Sequence, residues 1–371
     1  MNLIPGGLTR HTFRKRSNFA IAALSEAAAP ILRISAGLLS RRRPSPPGEW
    51  RQGVLLGAGH IGDVLYNSGS LRFLKESLPA CEWHYVAPPP AGEVIAHHPA
   101  IASCAPNLES LFSVAPIDVA ICYNSGAYWR ELLHAARLGI PNRVSYAHKG
   151  FSGLVTHRIS INYPQPYSFY FRDLVGQLIN RAPDWPVRPV IYPGPDDEAK
   201  AQFAWREASF SAVNPVIACF MTSRQASGVC PPEKFAESLA CLESRGDVQT
   251  VICGAAADGE TLERLRAAFG LKARIVAGKL SLLSLGCFLR RCAVVLCPDS
   301  GPRHLANAVG TPVVFVRNLA VGKIETGAYL ESEIDVAPDL ERLSPKEQAG
   351  AFALLKPAAV AAQVVRLLGS R

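Results

Sequence analysis

The feature that most constrains the fold of this chain is an alternation of short apolar runs with helical segments, which starts at Val54. Its first part predicts the strands and helices Val54–Leu56, Gly62–Ser77, Trp83–Val86, Val119–Cys122, Ala127–Leu138 and Arg143–Ser145. A strand that returns to its own sheet through a helix lies parallel to the strand before it. The sequence therefore predicts an α/β fold with a parallel sheet wrapped by helices.

Prolines interrupt this alternation once, after a predicted helix over Tyr167–Arg181. Because repeated proline stops both helices and strand ladders, we predict one domain over residues 51–185 and a second over 186–345. The alternation then resumes with the strands Val216–Phe220, Val248–Cys253, Ala273–Val276, Ala293–Cys297 and Val313–Val316. The last segment, 346–371, contains a predicted helix over Pro357–Leu368 that we expect to pack across the domain junction. Two parallel-sheet domains that face a cleft would bind ligands beyond the carboxyl ends of their strands.

Residues 1–50 form a basic N-terminal extension. Between Met1 and Arg51 the chain has nine Lys/Arg residues and two acidic ones, so this part carries +7 of the formal charge of +9. The rest of the chain is nearly neutral, which argues against nucleic acid as a partner. The ten cysteines include no C-x-x-C pair and mostly lie in apolar runs. This pattern is typical of small buried side chains in a reducing compartment.

Within the extension, Asn18–Ser40 predicts a helix with one apolar face, between the basic runs at 14–16 and 41–43. Such a helix suits an anionic membrane surface, which would be bound through residues 1–47. The alternative is a helix that packs on the body of the protein, kinked at Pro30 and followed by a solvated basic linker. The chain has no run of about 18 uncharged apolar residues, so we predict no transmembrane helix.

The segment Gly57–Asp63, which reads GAGHIGD, joins the first predicted strand to a helix. Dinucleotide-binding loops share its GxGxxG spacing, in which glycines let a phosphate approach a helix N-terminus. Two features argue against a dinucleotide here. The second strand has no acidic residue at its end, since Glu82 lies near its start, and the acidic Asp63 follows the last glycine. Asp63 is either a cap of the helix or a general base that faces the cleft.

The segment Cys297–Ala306, which reads CPDSGPRHLA, leaves an apolar strand and enters a helix. Asp299 or Ser300 can cap this helix, and backbone N–H groups at Ser300 and Gly301 would then receive a diphosphate. His304 lies in the first turn, where its ring can reach the same anion. The alternative is a well-capped helix with a buried histidine that is hydrogen-bonded to the backbone.

These two motifs, together with Leu71–Lys75, Gly278–Leu282 and Gly310–Val314, resemble the signatures of glycosyltransferase family 9, the heptosyltransferases. The resemblance implies a GT-B fold of two Rossmann-like domains. It implies an inverting, metal-independent transfer of a sugar, from ADP-heptose in the best-known members, onto the lipopolysaccharide core or a related glycan. The partners would be the nucleotide sugar and a lipid-linked or phosphorylated glycan acceptor, with no further cofactor. The enzyme would be cytoplasmic and peripheral on the inner membrane.

The resemblance also assigns roles to individual residues. Asp63 matches the catalytic base of the family, and Gly59, His60 and Gly62 would form the acceptor-side loop around it. The donor site would comprise residues of the second domain, namely Thr222, Ser223, Arg224, Gly254, Lys279, Asp299, Ser300, Gly301 and His304. The chain has no Asp-x-Asp pair for a divalent ion at the diphosphate, so we predict no metal ligand.

Two positions depart from the family pattern. Gly228 stands where the family carries a lysine that meets the donor phosphates, and Arg317 stands where a glycine follows the last strand. Arg224, four residues before Gly228, would compensate for the lysine. These departures leave open a different donor sugar, a protein acceptor, or a non-catalytic homologue that binds a sugar nucleotide. A dehydrogenase or a sugar-nucleotide epimerase would be the alternative class of enzyme.

Overall fold

The computed structural model describes residues 3–4, 16–40, 42–56, 59–112, 116–123, 128–146, 148, 150–162, 164–224, 228–320, 322–338 and 350–369. The chain divides into two compact units, Met1–Val187 and Arg188–Arg371. Each unit contains its own six-stranded sheet.

The first unit alternates strands with helices after an N-terminal helical pair. Its elements are β1 (Leu3–Ile4), α1 (Arg16–Ala27), α2 (Ala29–Leu39), β2 (Gln52–Leu56), α3 (Ile61–Ser77), β3 (Glu82–Val86), β4 (Ser103–Ala105), α4 (Glu109–Phe112), β5 (Val119–Cys122), α5 (Tyr128–Arg137), β6 (Asn142–Ser145), β7 (His157–Arg158), β8 (Ile161–Asn162) and α6 (Tyr167–Leu178). The predicted alternation is therefore confirmed in this unit.

The sheet of the first unit is parallel throughout and has the strand order β4-β3-β2-β5-β6-β7. The chain first adds β3 and β4 on one side of β2, and then crosses to β5 on the other side. The order therefore reverses between β2 and β5. Ligands of such sheets bind at this switch point, beyond the carboxyl ends of the strands.

The central strand β5 is apolar along its whole length and β2 is apolar from Val54 onward, as in sheets that helices cover on both faces. All four residues of β5 and four of the five residues of β2 are buried. On one face, Val54 and Leu56 pack in a cluster with Leu132 and Ala136 of α5. Burial of this kind removes apolar surface from water, and it fixes where each strand ends.

The N-terminal segment forms two helices where the sequence predicts one helix over Asn18–Ser40. α1 ends at Ala27 and α2 begins at Ala29, with an angle of 72° between them. Pro30 lies in the first turn of α2, where its missing N–H group leaves no hydrogen bond unmade. Among the described residues no single helix has the length and apolar character to cross a membrane, but α1 and α2 meet that criterion as a bent pair.

The second unit repeats the alternation of strands and helices. Its elements are α7 (Pro195–Ala208), β9 (Val216–Phe220), α8 (Pro232–Glu243), β10 (Gln249–Cys253), α9 (Gly259–Ala268), β11 (Arg274–Ile275), α10 (Leu282–Leu289), β12 (Val294–Pro298), α11 (Gly301–Val309), β13 (Val313–Val316), α12 (Lys323–Thr326), β14 (Glu333–Val336) and α13 (Pro357–Leu368).

The sheet of the second unit is also parallel, in the order β11-β10-β9-β12-β13-β14. Its strand order reverses between β9 and β12, so the residues that follow these two strands lie at the switch point. The apolar face of α13 is buried in the core of this unit through Val360, Ala361 and Val364, beside α8. Packing of the C-terminal segment across the domain junction stays a prediction.

All ten cysteines lie within the described ranges as free thiols, and eight of them are buried. Burial raises the pKa of the Cys253 thiol to about 12, and it raises the pKa values of Cys219 and Cys297 well above their usual range. These thiols are therefore protonated at neutral pH and pack as small apolar side chains, as the sequence predicts.

Candidate functional site

Asp63 lies in the first turn of α3, at the switch point of the first sheet. The loop before it leaves the carboxyl end of β2, and His60 is the N-cap residue of the helix. β5, on the other side of the switch point, is followed at once by the buried Tyr123. The two loops that meet at this point of the sheet therefore carry a carboxyl group and a phenol.

The Asp63 carboxylate lies close enough to the backbone N–H groups of Gly59 and His60 for them to lower its pKa. Asp63 occupies the third position of the helix, and an acidic side chain that reaches back to the N-cap N–H group forms one half of a capping box. Its position is thus compatible with the cap that the sequence leaves open as one role of Asp63. Burial raises the pKa of this carboxyl group, and the His60 charge and the two N–H groups oppose that rise in part.

Two tyrosines lie beneath Asp63 and were not anticipated from the sequence. The hydroxyls of Tyr85, on β3, and Tyr123 hydrogen-bond to each other, and the Asn67 side chain reaches both. Asn67 also donates to the backbone carbonyl of Asp63 at 2.7 Å. Burial raises the pKa values of both phenols, so they are neutral donors and acceptors. This network ties the first turn of α3 to β3 and β5, so it holds Asp63 in place.

The glycine loop does not show the backbone geometry of a tight phosphate-binding turn at its described residues. Gly59 is exposed, its φ is outside the left-handed region, and a Cβ atom there would meet open space. Gly57 and Ala58 lie outside the described residues. Gly62 is part of α3, and the role of Gly59, His60 and Gly62 as an acceptor-side loop stays a prediction.

Glu82 is the acidic residue that the dinucleotide alternative would need at the end of the second strand. It begins β3 instead, with an exposed side chain that accepts a hydrogen bond from Gln52 Nε2 at 2.8 Å. A strand of five residues spans roughly 13 Å at the usual rise, so Glu82 lies at the wrong edge of the sheet for a ribose. This position argues against a dinucleotide site.

The predicted donor residues of the second unit gather at one edge of its sheet. Thr222, Ser223 and Arg224 follow β9, and Gly254 follows β10, whose Cys253 is paired with Phe220 of β9. Lys279 lies four residues after β11 and is exposed. Because all these strands are parallel, their carboxyl ends lie at the same edge. The structure therefore brings these predicted residues together at the sheet edge that contains the switch point.

Asp299, Ser300 and Gly301 connect β12 to α11 on the other side of that switch point. The Asp299 N–H group donates to the carbonyl of Val316 on the neighbouring strand β13. Ser300 is the N-cap residue, but its hydroxyl donates to the Pro298 carbonyl at 3.3 Å and does not cap the helix. The N–H groups of a first helical turn have no partner inside the helix, and they form a region of positive potential. This turn is therefore suited to bind an anion.

Arg303 is the centre of a buried polar cluster that was not anticipated from the sequence. It is 1% exposed, and its guanidinium carbon lies 3.6 Å from the centroid of the Phe315 ring. All five of its N–H donors are used. Nε and Nη2 donate to Glu333 at 2.6 and 3.0 Å, and Nη1 donates to Asp299 at 2.8 Å. The remaining two donate to the carbonyls of Thr326 and Gly327 at 2.7 Å.

Asp299 and His304 are members of this cluster. Burial raises the pKa of Asp299, and its pairing with Arg303 lowers it in part. His304 is 2% exposed, and its Nδ1 lies 2.9 Å from the Tyr329 hydroxyl. Burial and the Arg303 charge lower the pKa of His304 well below its usual value, so the ring is neutral. These contacts hold the loop that precedes α11, and the donor-binding role of both residues stays a prediction.

Gly228 has a positive φ of 71° and touches the segment that follows β13. A Cβ atom there would lie 2.5 Å from the Ala320 nitrogen and would also collide with the Asn318 side chain. The Gly228 carbonyl accepts a hydrogen bond from Leu319 N–H at 2.8 Å. The segment that follows Arg317 therefore occupies the space that a side chain at position 228 would need. Arg317 is itself the second departure from the family pattern.

Comparison with known proteins supports the resemblance seen in the sequence. The profile of glycosyltransferase family 9 (heptosyltransferase) matches residues 176–317, a range that includes every predicted donor residue but not Asp63. The lipopolysaccharide core heptosyltransferase OpsX of Haemophilus influenzae is 32% identical over 84 residues. That alignment covers 22% of this chain and 24% of the relative. The predicted resemblance to family 9 is thus confirmed.

Two solved structures are similar over most of the chain. A family 9 glycosyltransferase of Veillonella parvula superimposes with a TM-score of 0.73 at 17% identity, covering 86% of this chain and 98% of the other. The ADP-heptose lipopolysaccharide heptosyltransferase II of E. coli gives a TM-score of 0.66 at 18% identity, covering 86% and 99%. At such identities the similarity shows the fold, and the predicted GT-B fold is confirmed.

Proposed function

We propose that this chain is an inverting glycosyltransferase that transfers a sugar from a nucleotide donor to a glycan, with ADP-heptose and the lipopolysaccharide core as the first candidates. The observation that carries the proposal is the placement of Asp63 at one switch point and of the Ser300–Gly301 turn at the other. The family 9 match supports the donor half of this assignment. The candidate donor and acceptor are those that appear in the names of the similar enzymes.

In the proposed reaction Asp63 is the general base. The acceptor hydroxyl attacks the anomeric carbon and loses its proton to the Asp63 carboxylate, while the bond from that carbon to the donor phosphate breaks. A single displacement of this kind inverts the anomeric configuration. A carboxyl group with a raised pKa is the stronger proton acceptor, provided that it is ionised at the working pH.

The leaving nucleoside diphosphate takes the electron pair of the broken bond and needs positive potential around it. The first turn of α11 supplies backbone N–H groups at Ser300 and Gly301. Arg224 and Lys279 are both exposed at the same edge of the sheet and can add formal charge. Arg303 is not available for this role, because its five donors are already bonded.

We propose that the transfer needs no metal ion. In the described ranges no group of three or more His, Cys, Asp or Glu side chains is placed to hold one. The acid nearest the proposed diphosphate site, Asp299, is paired with Arg303 instead. The reaction would take place at the cytoplasmic face of the inner membrane, where a soluble nucleotide sugar meets a lipid-linked acceptor.

The test is a panel of nucleotide sugars presented to the full chain. The thermal midpoint is measured with ADP-heptose and with UDP-, GDP- and dTDP-sugars, and a donor that binds the folded state raises it. Mass spectrometry then follows the transfer of each binding donor to a truncated lipopolysaccharide core, with EDTA in a parallel sample. We expect ADP-heptose to raise the midpoint and to be transferred equally well with EDTA.

Binding of a nucleotide sugar without transfer to any glycan or protein acceptor would instead identify a non-catalytic homologue. The steric block at position 228, where the family has a lysine, is the observation that favours this second candidate. Absence of binding to every nucleotide sugar would contradict both proposals.

A further inference from the structure

The helices α1 and α2 have an inverted distribution of side chains. The residues that they bury are small, namely Ala22, Ser25, Ala29 and Ala36. Large aliphatic side chains face outward instead, with exposed fractions of 49% for Ile21, 70% for Leu24, 68% for Ile31, 64% for Ile34, 81% for Leu38 and 53% for Leu39. On α2, positions 31, 34 and 38 recur at helical spacing and so lie on one face. Exposed apolar surface that is gathered in this way marks a binding surface.

The helical pair is fixed to the first unit by polar bonds. Glu26 accepts hydrogen bonds from the Ser152 N–H group at 2.8 Å and from its hydroxyl at 2.6 Å. The Ser25 hydroxyl accepts from Phe151 N–H at 2.8 Å. Gly150 has a φ of 90° and lies so close to α1 that a Cβ atom there would be 2.8 Å from the Ala22 Cα. The outward direction of the aliphatic side chains is therefore set by the fold.

A basic depression lies at the end of α2. Its volume is 330 Å³, and Arg42, Arg43 and Arg143 line it together with Gly37 and Ser40. Arg42 forms an ion pair with Asp118, and the buried Arg143 donates to the carbonyls of Leu154 and Ile140, so Arg42 and Arg43 are the exposed arginines of this depression. Arg33, which is exposed on α2 itself, adds another positive charge beside the aliphatic side chains.

We propose that the outer face of α1 and α2 lies in the plane of an anionic membrane leaflet, with its aliphatic side chains among the acyl chains. The arginines at the end of α2 would meet lipid phosphate groups. Charge complementarity selects this partner, because residues 1–51 carry +7 and the acid on α1, Glu26, is turned inward. Helices that bury one face against a protein body through hydrogen bonds cannot be surrounded by lipid as a bent span would be.

The experiment is co-sedimentation of the full chain with vesicles of equal parts phosphatidylglycerol and phosphatidylcholine, and with vesicles of phosphatidylcholine alone. The wild-type chain should bind the anionic vesicles and should be released by high salt, since screening weakens the arginine contacts. The double variant Leu24→Ser, Leu38→Ser should bind about 10-fold more weakly or worse, because it removes two large exposed apolar side chains. Arg43→Glu should weaken binding to the anionic vesicles and should leave binding to the phosphatidylcholine vesicles unchanged.

A matched control is available in the second unit. Phe203 and Val213 are also strongly exposed, at 64% and 87%, so Phe203→Ser, Val213→Ser removes comparable apolar surface from another place. This variant should bind vesicles like the wild type. Equal binding by the α1–α2 variant and the wild type would overturn the proposal. Vesicle binding that resists alkaline carbonate would also overturn it, because such binding indicates a membrane span. So would an α1–α2 variant that loses self-association and not vesicle binding, because the partner would then be a second copy of the chain.

Discussion

Arg303 and Glu333 share two hydrogen bonds inside the second unit, from Nε to Oε1 at 2.6 Å and from Nη2 to Oε2 at 3.0 Å. Glu333 also accepts from Asn307 Nδ2 at 2.8 Å and from Tyr329 N–H at 2.9 Å. A strand, a helix and a loop thus meet at one carboxylate. The turn that precedes α11 is therefore held through side chains and not through the N–H groups of Ser300 and Gly301, which the proposed donor site uses.

We expect Arg303→Ala to lower the free energy of unfolding by about 3–5 kcal/mol, because it leaves Glu333 and Asp299 buried without their cation. Urea denaturation followed by circular dichroism measures the change. Arg290→Ala is the control, since its pair with Glu198 is exposed and should be worth at most about 1 kcal/mol. If the two variants lose the same stability, the buried cluster does not have the structural role described here.

A second prediction concerns Gly228. Introducing the family lysine with Gly228→Lys should destabilise the protein and should not increase transfer, because the left-handed φ and the contact with Asn318 and Ala320 both oppose a side chain. A comparison of Gly228→Ala with Gly246→Ala separates the effect of the left-handed φ from the effect of the steric contact. Gly246 has a φ of 78° but open space at its Cβ position, so Ala there should cost about 1 kcal/mol. A thermal midpoint for Gly228→Ala as high as that for Gly246→Ala would show that the contact is harmless.

Asp63→Asn should lower kcat on the order of 10²-fold or more while it leaves the donor dissociation constant unchanged, because the amide cannot accept the acceptor proton. In the wild type, kcat/KM should fall with falling pH, since only the ionised carboxylate acts as a base. The raised pKa of Asp63 places that fall above the ordinary range of an aspartate. Asp184→Asn, at an exposed acid that pairs with Arg181, is the control. Wild-type kcat in Asp63→Asn would refute the assigned mechanism.

Arg224→Ala should weaken binding of the nucleoside diphosphate about 10-fold, which corresponds to the loss of one charge-assisted hydrogen bond. Isothermal titration with ADP measures this effect. Arg245→Ala removes an exposed arginine that is paired with Asp247, and it should leave ADP binding unchanged. Equal affinities of the two variants would remove Arg224 from the donor site.

The buried His98 predicts how stability depends on pH. Its Nε2 lies 3.0 Å from the Ser68 carbonyl and its Nδ1 accepts from Ala100 N–H, so the ring is neutral, and burial lowers its pKa to about 4. The unfolded chain takes up this proton near pH 6.5, whereas the folded chain does so only near pH 4. Stability should therefore be full above pH 6.5 and fall by about 1.4 kcal/mol per pH unit between these values. Urea denaturation at pH 7 and 5 should show a smaller loss for His98→Gln.

The sequence predicts elements well where burial alone decides them. The strands Val216–Phe220 and Val313–Val316 and the helix Pro357–Leu368 have the predicted bounds, because their apolar runs are long enough to mark them. β14 was not predicted. Its buried Glu333 does not look like a core residue until its partner Arg303, thirty positions earlier, is known. α7 was missed because only Ala201, Ala204 and Ala208 of its 14 residues are buried.

The same distinction applies to the candidate site. Asp63 and the Asp299–Gly301 loop follow predicted strands, so their positions at the carboxyl edges of the two sheets followed from the sequence pattern. The burial of His304 against Tyr329 did not, because it depends on a loop 25 residues away. The left-handed φ of Gly228 likewise depends on contacts with the chain around Asn318. The sequence pattern thus predicts where a loop lies. Contacts with residues far away in the sequence decide which side chains of that loop can reach a ligand.

The strand orders of the two sheets show that one plan is used twice. In each unit the first strand of the sheet lies next to the fourth, and each of these two strands opens a loop toward the switch point. The segment after β2 carries the acidic Asp63 in the first turn of α3, whereas the equivalent segment after β9 carries the hydroxyls of Thr222 and Ser223 and the cation of Arg224. Equivalent places in the two copies thus have opposite charge, which suits one copy to take a proton and the other to hold an anion. The shared strand order determines where a reaction can occur in each unit. The charges of a few side chains determine which unit takes up the proton and which unit binds the anion.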